Sequence, residues 1–183
     1  MANASSILIV AISPVDRTLL QPLVKPLTSA FRCRIEVTRA VQLDGSFAFN
    51  LSRNQYSSTA LITSLLEKFE DFDGRILGVT SGDLFVPVLT YVFGEAQLDG
   101  KVAVVSSHRL REELYGLAPD PNLLNLRLVK ESIHELGHAF GLLHCNNYLC
   151  VMHSSTGAEE IDVKTDRFCS TCSGQLLSKL GDN

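Results

Sequence analysis

Residues 7–12 form an unbroken run of apolar, mostly β-branched side chains that stops at Ser13-Pro14. Such a run predicts a strand buried on both faces. Downstream, Leu19, Leu20, Leu23, Val24, Leu27 and Phe31 recur at helical spacing. Prolines at 22 and 26 would each cost roughly 3 kcal/mol inside a helix, so the pattern predicts a helix that is kinked or starts late. Residues 32–38 alternate like a strand, the polar stretch 44–54 reads as loop, and residues 57–69 return to helical periodicity. Residues 75–80, 89–93 and 101–105 are three further apolar strand candidates.

Strands alternating with helices predict an α/β fold with a mostly parallel sheet, and the short 93-to-101 connection predicts that the last two strands pair antiparallel, leaving one at the sheet edge. Asp120-Pro121 then reads as a helix start, because Asp can cap free amides and proline suits the first helical position. Leu126, Val129, Ile133, Leu136 and Phe140 follow at spacings of three and four, and Gly141 is placed to end the helix. A short terminal helix is expected near residues 173–180.

The chain has 183 residues, 45% of them hydrophobic and 20% charged, which predicts one compact domain with lobes and excludes wholesale disorder. A net charge of −4, with lysines and arginines scattered, argues against a nucleic-acid partner. Residues 7–12 are too short to span a bilayer and lack the flanks of a secretory leader, so a place in a reducing cytoplasm, away from membranes, is expected; a monomer is a separate expectation. In that compartment cysteines serve more often as metal ligands than as disulfide partners.

The expected helix carries His134-Glu135-x-x-His138, and His144 follows six residues later, beyond Gly141. Histidines four apart on a helix share a face and can reach one ion. His144 can join them only if the chain turns back, which Gly141 permits. Three neutral imidazoles leave a tetrahedral zinc one open position, the form of a catalytic site, and Glu135 beside the first ligand is placed to act as general base. His108 and His153 read as ordinary solvated histidines.

Cys145 and Cys150 form one close pair, and Cys169 and Cys172 form a second. Two such pairs across a spacer predict a structural four-thiolate zinc site that ties the tail to the helix. The alternatives are disulfides or, for Cys169-x-x-Cys172 alone, a redox motif. Cys33 stands apart and reads as a buried apolar residue.

The run His134-Glu-x-x-His138-x-x-Gly141-x-x-His144-Cys145, then Cys150-Val151-Met152, then Cys169-x-x-Cys172, resembles the archaemetzincin family of metallopeptidases. Asp83-Leu84-Phe85-Val86-Pro87 and Tyr91-Val92-Phe93-Gly94 look like that family more loosely. The resemblance implies a zincin-like fold with two to three helices. Residues 1–145 would form an upper subdomain ending in the active-site helix. Residues 146–183 would form a lower one with the cysteine site and a methionine turn at Met152. It further implies a peptide substrate lying along an antiparallel edge strand at residues 91–96, with Tyr91, Val92, Phe93 and Gly94 as contacts. Some metzincins place a tyrosine two residues after the turn methionine; Ser154 stands there, so that tyrosine donor is excluded. The competing expectation is a zinc-stabilised module that binds peptides without cleaving them. Glu135 separates the two, since a purely structural metal needs no base beside its ligand.

Overall fold

The computed structural model describes residues 6–181, and the side chains of all but 39–42 among them. Along the chain run β1 (Ser6–Ser13), α1 (Val24–Phe31), β2 (Arg34–Asp44), β3 (Phe49–Asn50), β4 (Gln55–Ser57), α2 (Ser58–Lys68) and β5 (Arg75–Thr80). They are followed by β6 (Leu84–Phe85), β7 (Gly94–Ala96), β8 (Val102–Ser106), α3 (Pro121–Ala139), α4 (Ala158–Val163) and α5 (Ser170–Gly181). The main sheet has the order β2-β1-β5-β8-β7; its first four strands are parallel and β7 closes the edge antiparallel to β8. This is the mixed α/β sheet, with its antiparallel edge, that the strand pattern predicts.

Central position explains the apolar run in β1, which lies between β2 and β5. Ile7, Ile9 and Ala11 pack on the face that carries Leu27 and Phe31 of α1 and Leu128, Ile133 and Leu136 of α3. Val10 and Ile12 pack on the opposite face, against Leu61, Ile62 and Leu65 of α2. Each fully buried Ile or Leu contributes roughly 1.5–3 kcal/mol, so three helices held on two sheet faces account for most of the cohesion around the site.

The first helix starts late. Two 3-10 turns, Arg17–Leu19 and Gln21–Leu23, precede α1, and Pro26 falls in the first turn of α1, where an amide has no intrahelical partner to lose. Four other expectations need correction. Residues 44–54 are not only loop: Phe49–Asn50 form β3, which joins β4 and β6 in a small second sheet, and strands of two or three residues are too short to show a period. Residues 89–93 are not a strand but an irregular segment with one bridge, Leu84 to Val92, and the edge strand begins at Gly94. Leu126 is 56% exposed; the buried face of α3 runs instead through Leu124, Leu128, Val129, Ile133 and Leu136. Finally, the terminal helix begins at Ser170, and the six-residue α4 had no signal of its own.

Helix α3 is held at both ends. Asp120 Oδ1 accepts from the amides of Asn122 and Leu123, at 3.0 and 2.9 Å. At the other end Arg75 Nε donates to the Ala139 carbonyl at 3.1 Å, and its guanidinium lies 4.8 Å from the Phe140 ring centre. That cation also opposes the negative end of the helix dipole. Among the described residues, no helix is long and apolar enough to cross a membrane.

Candidate active site

The C-terminus of α3 decides the geometry of the three histidines. Gly141 takes φ +85°, its amide donates to the His138 carbonyl at 2.8 Å, and the Leu142 amide donates to the Gly137 carbonyl at 2.9 Å. This double bond pattern is a Schellman stop, which reverses the chain within one turn and brings His144 back beside the helix. Ring centres of His134 and His138 are 4.7 Å apart, and that of His144 lies 5.3 and 4.8 Å from them. One ring nitrogen from each histidine lies within 4.8 Å of the others.

Each helical histidine has one nitrogen committed to a carbonyl. His134 Nδ1 donates to Val151 O and His138 Nδ1 to Leu142 O, both at 2.8 Å. A carbonyl oxygen can only accept, so each Nδ1 carries the proton and each Nε2 is left with its lone pair. The two Nε2 atoms face one another at 3.1 Å. Burial holds all three imidazoles below their usual pKa and therefore neutral. A fixed tautomer, a neutral ring and converging lone pairs are what a zinc ion requires, so the donor set fits one.

Glu135 is buried at the base of a cleft of about 330 Å³. Burial, with Glu131 and Glu95 adding negative charge nearby, pushes its carboxyl well above the usual range. A Cβ added to Gly94 would come within 2.6 Å of Glu135 Cγ, so only glycine lets the edge strand pass this close over the carboxylate. Tyr91, Val92, Phe93 and Gly94 line the upper rim of the cleft, with Ser154, Ser155 and Thr156 along the lower. The Tyr91 hydroxyl spans the two rims, donating to Thr156 O at 2.6 Å.

The four sulfurs of Cys145, Cys150, Cys169 and Cys172 form a second cluster, all within 4.8 Å of one another. No disulfide joins them: Cys145 and Cys169 are 3.8 Å apart, and all five cysteines are free. Amides of Asn147 and Cys169 point at the sulfurs of Cys145 and Cys150, at 3.5 and 3.3 Å. The Cys172 amide, with neighbouring thiols, brings Cys169 down to about 7. Four sulfurs gathered this closely, with amides donating to them, are the donor chemistry of a closed thiolate zinc site. Cys33 stands away from this cluster, and burial raises its thiol to about 11, so it behaves as the apolar residue expected.

Met152 is fully buried beneath α3, where a Cβ on Gly137 would meet its sulfur at 2.4 Å. His153, read from sequence as solvated, is half-buried instead, its Nδ1 donating to Cys145 O at 2.8 Å. Sequence reasoning also passed over Glu131, which lines the cleft one turn before Glu135. Its spacing of four from Glu135 was a usable signal. Lys164, its buried ion-pair partner, had none.

Comparison with known proteins agrees with this geometry. Residues 28–178 match the model of peptidase family M54. The chain belongs to peptidase family M54. It is 46% identical over 136 residues to an archaemetzincin of Methanocaldococcus jannaschii, an alignment covering 74% of this chain and 72% of that one. Its fold is similar to the crystal structure of an archaemetzincin from Methanopyrus kandleri, with TM-score 0.82 and 34% identity, covering 97% of this chain and 96% of the other. It is likewise similar to a zinc-dependent peptidase from Methanocorpusculum labreanum, with TM-score 0.83 and 33% identity, covering 93% and 99%. Family membership makes the chain a zinc metallopeptidase, and the archaemetzincin resemblance read from its motif stands.

Proposed function

We propose that this chain hydrolyses peptide bonds at a catalytic zinc held by His134, His138 and His144, with Glu135 as general base. The observation that carries this reading is the convergence of the three imidazoles beside a buried carboxylate, in a cleft lined by the segment that leads into the edge strand β7 at Gly94. Zinc bound there supplies Lewis acidity, which polarises a peptide carbonyl and acidifies water. Glu135 accepts the proton of the attacking water and delivers it to the leaving amine nitrogen. A carboxyl whose pKa is raised by burial holds that proton more readily than an exposed glutamate would, which suits a group that must take it and pass it on. The peptide lies extended along Tyr91, Val92, Phe93 and Gly94 and the free edge of β7, antiparallel to it.

A second zinc on Cys145, Cys150, Cys169 and Cys172 has no open position and is structural, tying residues 146–183 to the active-site helix. Met152 supports the histidine site from below. A thiolate site of this kind suits a reducing compartment. Elemental analysis is expected to give two zinc ions per chain, one removed readily by chelator. A peptide-library digest read by mass spectrometry is expected to give cleavage that stops when the chelated ion is gone. A single firmly held zinc, or no cleavage of any library peptide, overturns the proposal in favour of a zinc-stabilised binding module.

Acid gives a separate test. Protonation competes with metal for the imidazoles, and because burial depresses their pKa the fold keeps them neutral further into acid than a free histidine. The unfolded chain binds those protons first, so both metal retention and stability fall as pH drops and recover as it rises. The histidine-site zinc is expected to be retained at pH 6.5, the ordinary imidazole value, and to leave only below it. Metal content measured after dialysis across that range checks this, and complete loss already at pH 6.5 would count against the three histidines as ligands.

A further inference from the structure

Three consecutive carbonyls, those of Val151, Met152 and His153, are each held by a hydrogen bond from another part of the chain. Val151 O accepts from the ring of His134 at 2.8 Å. Met152 O accepts at 2.9 Å from the amide of Cys145, the residue after His144. His153 O accepts from Lys164 Nζ at 3.1 Å. Lys164 lies just beyond α4 and is 1% exposed, an extreme burial for a lysine. Its ammonium stands 2.8 Å from Glu131 Oε1, and Glu131, 3% exposed, sits on α3 one turn before Glu135.

A buried ion pair of this kind adds little net stability, because desolvating both charges costs several kcal/mol and their attraction roughly offsets that cost. It does fix geometry, since each charge is tolerated only opposite the other. We propose that Lys164 is a positioning residue for the histidine metal site: anchored on Glu131, it clamps the third carbonyl of the turn to α3 and so holds the support beneath the histidines in one place. His153 is then fixed from two sides, its carbonyl by Lys164 and its ring by the Cys145 carbonyl. The inference rests on the histidine metal site proposed above, but not on peptide hydrolysis.

The test uses cobalt in the histidine site, since zinc is spectroscopically silent while the visible bands of cobalt(II) report ligand geometry. Chelator first removes the labile metal, leaving the cysteine site loaded with zinc, and cobalt is then titrated in. Lys164→Met strands the Glu131 carboxylate, so its fold can suffer for that reason alone. Glu131→Met/Lys164→Met removes both charges and is expected to fold, as replacement of buried pairs by apolar residues usually permits. In both variants cobalt is expected to bind about 10–100-fold more weakly, the usual cost of losing a group that orients metal ligands, with altered visible bands.

A double variant that folds and keeps the wild-type bands and affinity overturns the proposal. If neither lysine-less chain folds, Glu131→Gln carries the test, because it weakens the anchor while leaving the Lys164 donor in place. Changed bands are expected there too, and unchanged ones overturn the proposal. Failure of the peptidase reading would look different: a wild-type chain that binds cobalt in the histidine site while its zinc form cleaves no peptide.

Discussion

Glu135→Gln is expected to lower kcat/KM by about 10²–10⁴-fold while leaving both metal sites filled, the range associated with loss of a general acid–base group. That corresponds to about 3–5 kcal/mol of transition-state stabilisation at 1.36 kcal/mol per tenfold. Glutamine keeps the shape of the side chain beneath Gly94 but cannot accept a proton, so the loss is expected in kcat with KM little changed. Steady-state kinetics on a peptide found by library digest, with zinc content measured on the same sample, checks this. Turnover within about tenfold of wild type would remove Glu135 from the role of base. A fall in activity matched by a fall in zinc would instead make it a structural neighbour of the ligands.

The same site shows which information is local in the chain and which is not. Asp120, the buried stripe of α3, Gly141 and the three histidines lie within 25 consecutive residues, and the geometry that joins them is one helix and one Schellman stop. Local rules about caps, periodicity and positive φ were therefore enough to anticipate that the imidazoles meet. The buried strands β1, β5 and β8 were legible for the same reason, since each is apolar enough to declare itself.

What local pattern could not supply were features created by chain segments far apart. Residues 89–93 are apolar because they rim the cleft, with Leu89 52% exposed, and not because they enter a sheet. The strands β3, β4 and β6 exist through pairings across up to 28 positions, with two or three residues each. Lys164 is the extreme case. Nothing around it in sequence distinguishes it from a surface lysine, and only the fold sets it against Glu131 and the His153 carbonyl.

Removing the thiolate cluster is expected to have the largest effect on stability. The segment from Asn146 to Phe168 contains a single short helix, and Cys145 and Cys150 before that helix meet Cys169 and Cys172 after it at one point. Structural zinc sites in small modules contribute about 10–16 kcal/mol of apparent folding free energy. If even about 5 kcal/mol of that applies here, Cys169→Ala/Cys172→Ala would lower Tm by about 10–20 °C in a domain of this size.

The double cysteine variant also carries a second consequence, which follows from a single peptide link. Cys145 directly follows His144, and its amide holds the Met152 carbonyl, so releasing that thiolate frees the third imidazole and the turn below it together. The variant is therefore expected to lose the histidine-site zinc as well, although no histidine has been touched, whereas Glu135→Gln keeps both ions. Calorimetry and metal analysis on the two variants side by side separate these outcomes. A double cysteine variant that melts within about 3 °C of wild type, a shift worth only about 1 kcal/mol, and still holds its histidine-site zinc would mean that the cysteine cluster neither supports the lower segment nor positions His144.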